Sequence, residues 1–289
     1  MNQGSVTVKL PFVSQTVPFV FLGLSKNITF SENSIKTGKK EIRYDDIISI
    51  DYFRQSWEQF KPKLYITLHQ SDYGFAVTTE TDNIYFLGTS VPIIGISNKK
   101  CDVAFEQIVN LSKKYIEPII VEKIYQRISS DMGWVRIADF LLSKRGFCKR
   151  ISEQRFICIP WAQFGGAELT FGSSGWWPVL VIYQETSSGI REIFDKVFPA
   201  QLTPLYMHNQ LCNLTILPEL MTYCAKEFAN ELAPPAEIDS RELKITWKET
   251  IPQSVIRRGK TLAIAMIVFI ILILSVFFFF LFSGKIEFT

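Results

Sequence analysis

Short runs of β-branched and aromatic residues fill the first third of the chain, each broken by Ser, Gly, Asn or Asp. They read Pro18 to Gly23, Asn27 to Ser31, Ser34 to Gly38, Glu41 to Phe53, Lys63 to Gln70, Gly74 to Thr79 and Asn83 to Gly88. Short, apolar runs of this kind between turn residues predict the strands of an antiparallel sheet that turns back on itself. The period then changes. In "CDVAFEQIVNLSKKYIEP" (Cys101 to Pro118) Ala104 or Phe105, Ile108, Leu111 and Tyr115 share one helical face, and Asp102 stands near the start, where its charge suits the helix dipole. Pro118 interrupts this helix, and Ile119 to Ile128 continue with a helical turn or two.

The same order follows again. Strand patterns occupy Val135 to Ser143, Gly146 to Arg150, Arg155 to Phe171, Trp177 to Gln184 and Gly189 to Phe198. A helical pattern then runs from Thr215 to Leu232, with Leu220, Tyr223, Cys224 and Phe228 at helical spacing and Pro218 where a first-turn proline is tolerated. Side by side, Ile28 to Ile47 and Phe140 to Phe164 share a hydrophobic strand ending in Ser, a polar turn, a short strand around Ile35 or Phe147, and basic residues. Each then has an aromatic residue three positions before an apolar one, Tyr44 before Ile47 and Trp161 before Phe164. The chain is read as one module used twice.

Thr261 to Gly284 breaks both patterns, since it holds no charged residue. About 20 apolar residues cross about 30 Å of hydrocarbon, so residues 261–284 are predicted to be a transmembrane helix. Arg257, Arg258 and Lys260 precede it while only Lys285 and Glu287 follow, and positive residues stay inside. The expectation is a single-pass, tail-anchored membrane protein whose N-terminal body is cytoplasmic. The first residues lack a basic start followed by a continuous apolar region, so no signal peptide is expected.

Charge narrows the partners. Residues 15–127 carry 14 basic and 13 acidic side chains, and residues 133–235 carry 9 of each. A nucleic-acid binder normally presents a clearly basic domain, so nucleic acid is not expected as a partner. The five cysteines include no CxxC pair and read as small apolar residues of a reducing compartment. The triplets Asn27-Ile-Thr29 and Asn213-Leu-Thr215 are read as chance glycosylation matches.

The segment "IRYDDIISI" (Ile42 to Ile50), preceded by a strand and a Gly-containing turn and followed by further strands and a closing helix, resembles the bacterial pleckstrin-homology-like (PH-like) domains. The resemblance covers residues 15–127 and, more loosely, 135–232. It implies an α+β chain with two tandem PH-like domains, each an antiparallel, partly open β-barrel capped by a C-terminal helix, plus the transmembrane helix. The divisions are 15–127 and 133–235 for the two domains, 236–260 for a juxtamembrane linker and 261–284 for the span. The second copy departs from the pattern: Gln163 replaces the acid, Pro160 precedes the aromatic residue, and Phe164 to Trp177 insert a glycine-rich excursion.

No catalytic constellation emerges, and neither a metal nor a cofactor is expected. His69 and His208 stand alone, and the glycines of "GGAELTFGSSG" have the wrong spacing for a phosphate cradle. Asp45 and Asp46 would point to opposite faces of a strand, and they are read as a solvated turn rather than an acid/base pair. Basic turns remain, with Lys36, Lys39, Lys40 and Arg43 in the first copy and Lys144, Arg145, Lys149 and Arg150 in the second. From these, Lys39, Lys40, Lys144 and Arg145, together with Arg257, Arg258 and Lys260, are the candidate anionic-lipid contacts. Phe171, Trp176 and Trp177 are a candidate apolar patch, against which core packing of both tryptophans is the favoured reading. The expected role is a non-enzymatic, membrane-anchored scaffold that recognises an unidentified protein or peptide, with lipid binding or sensing as the alternative.

Overall fold

The computed structural model describes residues 5–10, 13–16, 19–20, 27–61, 66–89, 98–130, 133–137, 139–152, 154–171, 178–197, 213–239, 241 and 243–248, with helical positions 264, 267–268, 270–276, 278 and 279. The architecture is α+β, with several sheets and a half-barrel.

In the first unit β1 (Val6–Lys9), β4 (Asn27–Phe30), β5 (Ser34–Thr37) and β6 (Lys40–Arg43) form a four-stranded antiparallel sheet in that order. A second sheet has the order β3-β2-β9-β8-β7, built from β2 (Val13–Thr16), β3 (Phe19–Val20), β7 (Ser49–Lys61), β8 (Ile66–Thr78) and β9 (Asn83–Thr89). Helix α1 (Asn98–Tyr115) follows and buries Ala104, Phe105 and Ile108. Helix α2 (Glu117–Ser129) is longer than the turn or two expected. Pro118 sits in its first turn, where the missing N–H costs no helical bond, and Ile120, Ile124 and Ile128 line its buried face.

The order of elements recurs. Strands β10 (Trp134–Ile137), β11 (Phe140–Ser143), β12 (Gly146–Arg150) and β13 (Arg155–Pro160) pair consecutively. Strands β14 (Phe164–Phe171), β15 (Pro178–Thr186) and β16 (Gly189–Val197) make the second sheet, and α3 (Leu217–Phe228) closes the unit.

The stretches read as single strands across Glu41 to Phe53 and Arg155 to Phe171 are each interrupted. A one-turn 3-10 helix occupies Tyr44–Asp46 in the first and Trp161–Gln163 in the second. The cause is the same in both: an aromatic side chain turns inward, is buried, and hydrogen-bonds the main chain at the end of an earlier strand. Tyr44 Oη donates to the Ser31 carbonyl at 2.9 Å, and Trp161 Nε1 donates to the Ser143 carbonyl at 2.8 Å. A buried polar tip needs such a partner.

One hydrophobic core runs through both units, from Val8 and Ile28 to Leu220 and Phe228. At the junction Tyr125 of α2 meets Tyr223 edge to face at 4.7 Å and stacks on Phe228 at 5.6 Å. Beside it Asn213, at φ 57°, is fully buried and uses its side-chain amide as a strand would use its main chain. It donates from Nδ2 to the Ile48 carbonyl at 2.9 Å and accepts the Ile50 N–H at 3.1 Å. Thr215 Oγ1 donates to the Ile50 carbonyl. The Asn213-Leu-Thr215 triplet thus ties the second unit to β7 of the first.

The expected linker holds two strands. Strand β17 (Glu237–Asp239) pairs antiparallel with β13, and β18 (Ile245–Lys248) pairs parallel with β10, so the second unit's sheet has six strands with this segment on both edges. Gly133, at φ 138°, lets the chain pass: a Cβ there would clash with the Lys244 carbonyl. Ile238, Leu243 and Ile245 pack on a small separate core of Leu141, Cys148, Phe156 and Cys158.

Two expectations are corrected. The cysteines do not all stay thiols, because Cys148 and Cys158 face each other across β12 and β13 and form a disulfide, while Cys101 and Cys224 are buried thiols outside it. The transmembrane helix over 261–284, and with it the single-pass, tail-anchored placement of a cytoplasmic body, is not supported: among the described residues no helix is long and apolar enough to cross a membrane.

Candidate functional site

The break of the first strand at Tyr44 sends Asp45 and Asp46 to the same place. Residues on a continuous strand alternate between faces. In the 3-10 turn, both border a cleft of about 720 Å3 between β6 and the β8–β9 turn. Glu41 and Ile42 of β6 line one side, and Thr79 to Asp82 line the other. Lys123 and Arg127 of α2 complete the lining.

Each side of the cleft is held by its own bonds. The β8–β9 turn is closed by Thr79, whose N–H donates to the Asp82 carbonyl at 2.8 Å and whose hydroxyl accepts the Asp82 N–H at 2.9 Å. Lys40 spans the corner, donating to Asp82 Oδ1 at 2.5 Å and to the Asn83 carbonyl. Lys123 donates to the carbonyls of Asp45 and Ile47, and burial pushes its pKa down, partly offset by the charges of Asp45 and Asp46. Five carboxylates and the two cations of α2 line the cleft; Asp82 is paired with Lys40, Asp45 lies 3.9 Å from Arg43, and Glu41 accepts the Ser34 hydroxyl at 2.7 Å.

A second cleft, of about 620 Å3, lies in the other unit against the C-terminal strands. Lys144 and Arg145, in the β11–β12 turn, line it together with Glu237 and Asp239. Paired with Arg241, Asp239 has its carboxyl held down at about 2.

The candidate lipid contacts do not form one surface by symmetry. Lys39 is exposed in the β5–β6 turn and Lys40 is taken up by Asp82, whereas Lys144 and Arg145 occupy the β11–β12 turn, the counterpart of β4–β5. Arg257, Arg258 and Lys260 lie outside the described residues, as do Trp176, Trp177, His208 and Cys212. Phe171 ends β14, and His69 is in β8.

The strongly displaced titrating groups serve the fold. Tyr52 Oη donates to Glu117 at 2.8 Å near the unit junction; burial raises both pKa values, against the lowering effect of this bond on Glu117. Tyr73 donates to Asp102 at 2.6 Å, and Arg54 pairs with the same carboxylate at 3.1 Å. Burial pushes the Cys101 thiol up to about 11 and the Cys224 thiol up to about 12, well above the range of reactive thiolates. Among the described residues no cluster of three or more His, Cys, Asp or Glu could hold a metal ion.

The carboxylate cleft was not legible in sequence. Glu41, Asp45 and Asp46 meet Glu80 and Asp82 only because two sheets fold toward each other, and the one local signal was the aromatic residue that breaks the strand. Compared with protein-family models and with curated proteins, the chain matches none.

Proposed function

We propose that this protein is a non-enzymatic binding module, in which two PH-like units form one platform that recognises a protein or peptide. The observation that carries the reading is the junction: one continuous core and the Asn213 bonds to β7 fix the units to each other, while a wide, charged cleft stays open beside them. A welded pair of units presents a preorganised surface, which lowers the ordering cost of recognition. Tyr52, Glu117, Tyr73 and Asp102 are spent on packing partners rather than turned toward either cleft.

Selection from a displayed random-peptide library against the full chain tests this reading. The expected result is enrichment of one consensus whose synthetic peptide binds in solution and competes with the displayed form. A library that stays random through repeated rounds against folded protein overturns it.

A further inference from the structure

The second unit shows how its first sheet receives an added strand. Strand β17 lies antiparallel along the outer edge of β13, with Arg155, Phe156 and Ile157 opposite Asp239, Ile238 and Glu237, and the Cys158 N–H donates to the Ala236 carbonyl at 2.9 Å. Its carboxylates meet a cation, since Arg155 pairs with Glu237.

In the first unit the corresponding strand is β6, and among the described strands none pairs with its outer edge. Aligned on Tyr44 and Trp161, Glu41 falls on Cys158 and Arg43 on Pro160. The Tyr44 N–H donates to the Asn33 carbonyl and Ile42 stands opposite Ile35. Main-chain groups alternate sides along an antiparallel strand, so those of Glu41 and Arg43 face away from β5. The Glu41 N–H is therefore placed as the Cys158 N–H is placed, and it opens beside the cleft that Glu41, Asp45, Asp46 and Glu80 line. The second unit has Ala162 and Gln163 where the first has Asp45 and Asp46.

We infer that the outer edge of β6 accepts an extended, lysine- or arginine-bearing peptide as an added antiparallel strand, in the manner in which β13 accepts β17. Main-chain bonds to Glu41 and Arg43 supply the pairing, and the carboxylates of the cleft select basic side chains. The charge sense is the reverse of the internal pair, where an acidic strand meets Arg155. This inference rests on the binding reading above and gives it a site and a partner chemistry.

The test titrates the full chain with an alternating Lys-Val peptide of about eight residues, within the usual range of strand lengths, and with its Glu-Val counterpart. Three variants accompany it. Arg43→Pro removes the outward N–H at a position whose φ of −74° suits proline and which is Pro160 in the other unit. Arg43→Ala removes the same side chain but keeps the N–H. The pair Asp45→Asn with Asp46→Asn removes charge only.

The expected results are salt-dependent binding of the Lys-Val peptide alone, slowed exchange of the Glu41 amide in the complex, and an affinity about five- to tenfold lower for Arg43→Pro, the size of one lost hydrogen bond. Arg43→Ala should bind at least as well as the parent, and the Asn pair more weakly. Equal affinity for Arg43→Pro and Arg43→Ala, with both melting like the parent, overturns the edge pairing. Equal binding of the two peptides overturns the charge selection. Either failure leaves the binding reading standing if the library selection yields a consensus, whereas a selection that stays random removes both.

Discussion

The two units follow one plan and finish their edges differently. In the second, a returning segment occupies both edges of the first sheet, and a disulfide joins two of its central strands. In the first, β1 and β6 end their sheet among the described strands, and β6 borders a carboxylate-lined cleft. Open strand edges recruit other chains unless something covers or charges them. In the second unit the edges of β13 and β10 are covered by its own chain, and in the first the β6 edge is flanked by charge. The difference teaches that a repeated fold divides its labour at the edges, where the pattern of core residues places no demand.

The largest effect should come from the aromatic residues that define the shared plan. Trp161→Ala removes a buried ring and its bond to the Ser143 carbonyl, and should cost about 3 to 5 kcal/mol in urea denaturation. Tyr44→Phe keeps the ring and loses only the bond to Ser31, so it should cost about 1 kcal/mol. A cost for Trp161→Ala no larger than that for Tyr44→Phe would mean that the buried Trp161 ring contributes nothing beyond its hydrogen bond.

The disulfide comes next. A loop of about ten residues closed by Cys148 and Cys158 restricts the unfolded chain by about 2.5 kcal/mol in the loop-entropy estimate. Reduction should lower the melting temperature of the chain, and a melt unchanged by reductant would remove the staple from the comparison.

Asn213→Ala should cost about 1 to 3 kcal/mol, because the Ile48 carbonyl and Ile50 N–H lose their buried partner. Calorimetry should then show the single transition broadening or splitting as the units uncouple. A transition that stays sharp would show that the shared core alone couples them.

The smallest effect concerns the junction's acid. Burial raises the Glu117 pKa, so the folded state holds its proton more tightly than the unfolded state does. That contribution is fully present below the usual glutamate range and is lost as pH rises through the raised folded pKa. Glu117→Gln should therefore flatten the fall in stability on going from acid to neutral pH, while Gln Oε1 still accepts from Tyr52. An unchanged pH profile would assign that slope to other groups.

How far the fold was legible depends on where the signal lies. Period two and period 3.6 show strands and helices wherever one face is buried, which is why Leu220, Cys224 and Phe228 of α3 could be read in advance, while Tyr223 of the same reading is exposed and meets Tyr125 edge to face. The likeness of Tyr44 to Trp161 was visible as an aromatic residue after a strand, but its hydrogen bond to a serine carbonyl was not. Strands β17 and β18 escaped notice because short edge strands carry little burial pattern. Of the candidate site, Asp45 and Asp46 were legible as a solvated turn, and they stand exposed in the 3-10 turn, but the cleft that this turn borders was not legible.

By itself the amino-acid sequence determined the kinds of element, their order and its recurrence, since periodicity and turn chemistry act over a few neighbouring residues. Only the tertiary structure decided that Asn213 ties the units together, that Cys148 meets Cys158, and that five carboxylates from β6 to the β8–β9 turn share one cleft. It also left the transmembrane helix expected over residues 261–284 unsupported, since among the described residues no helix is long and apolar enough to cross a membrane. The first three are contacts between residues far apart in sequence, fixed by how sheets and helices pack together, and no local pattern encodes them.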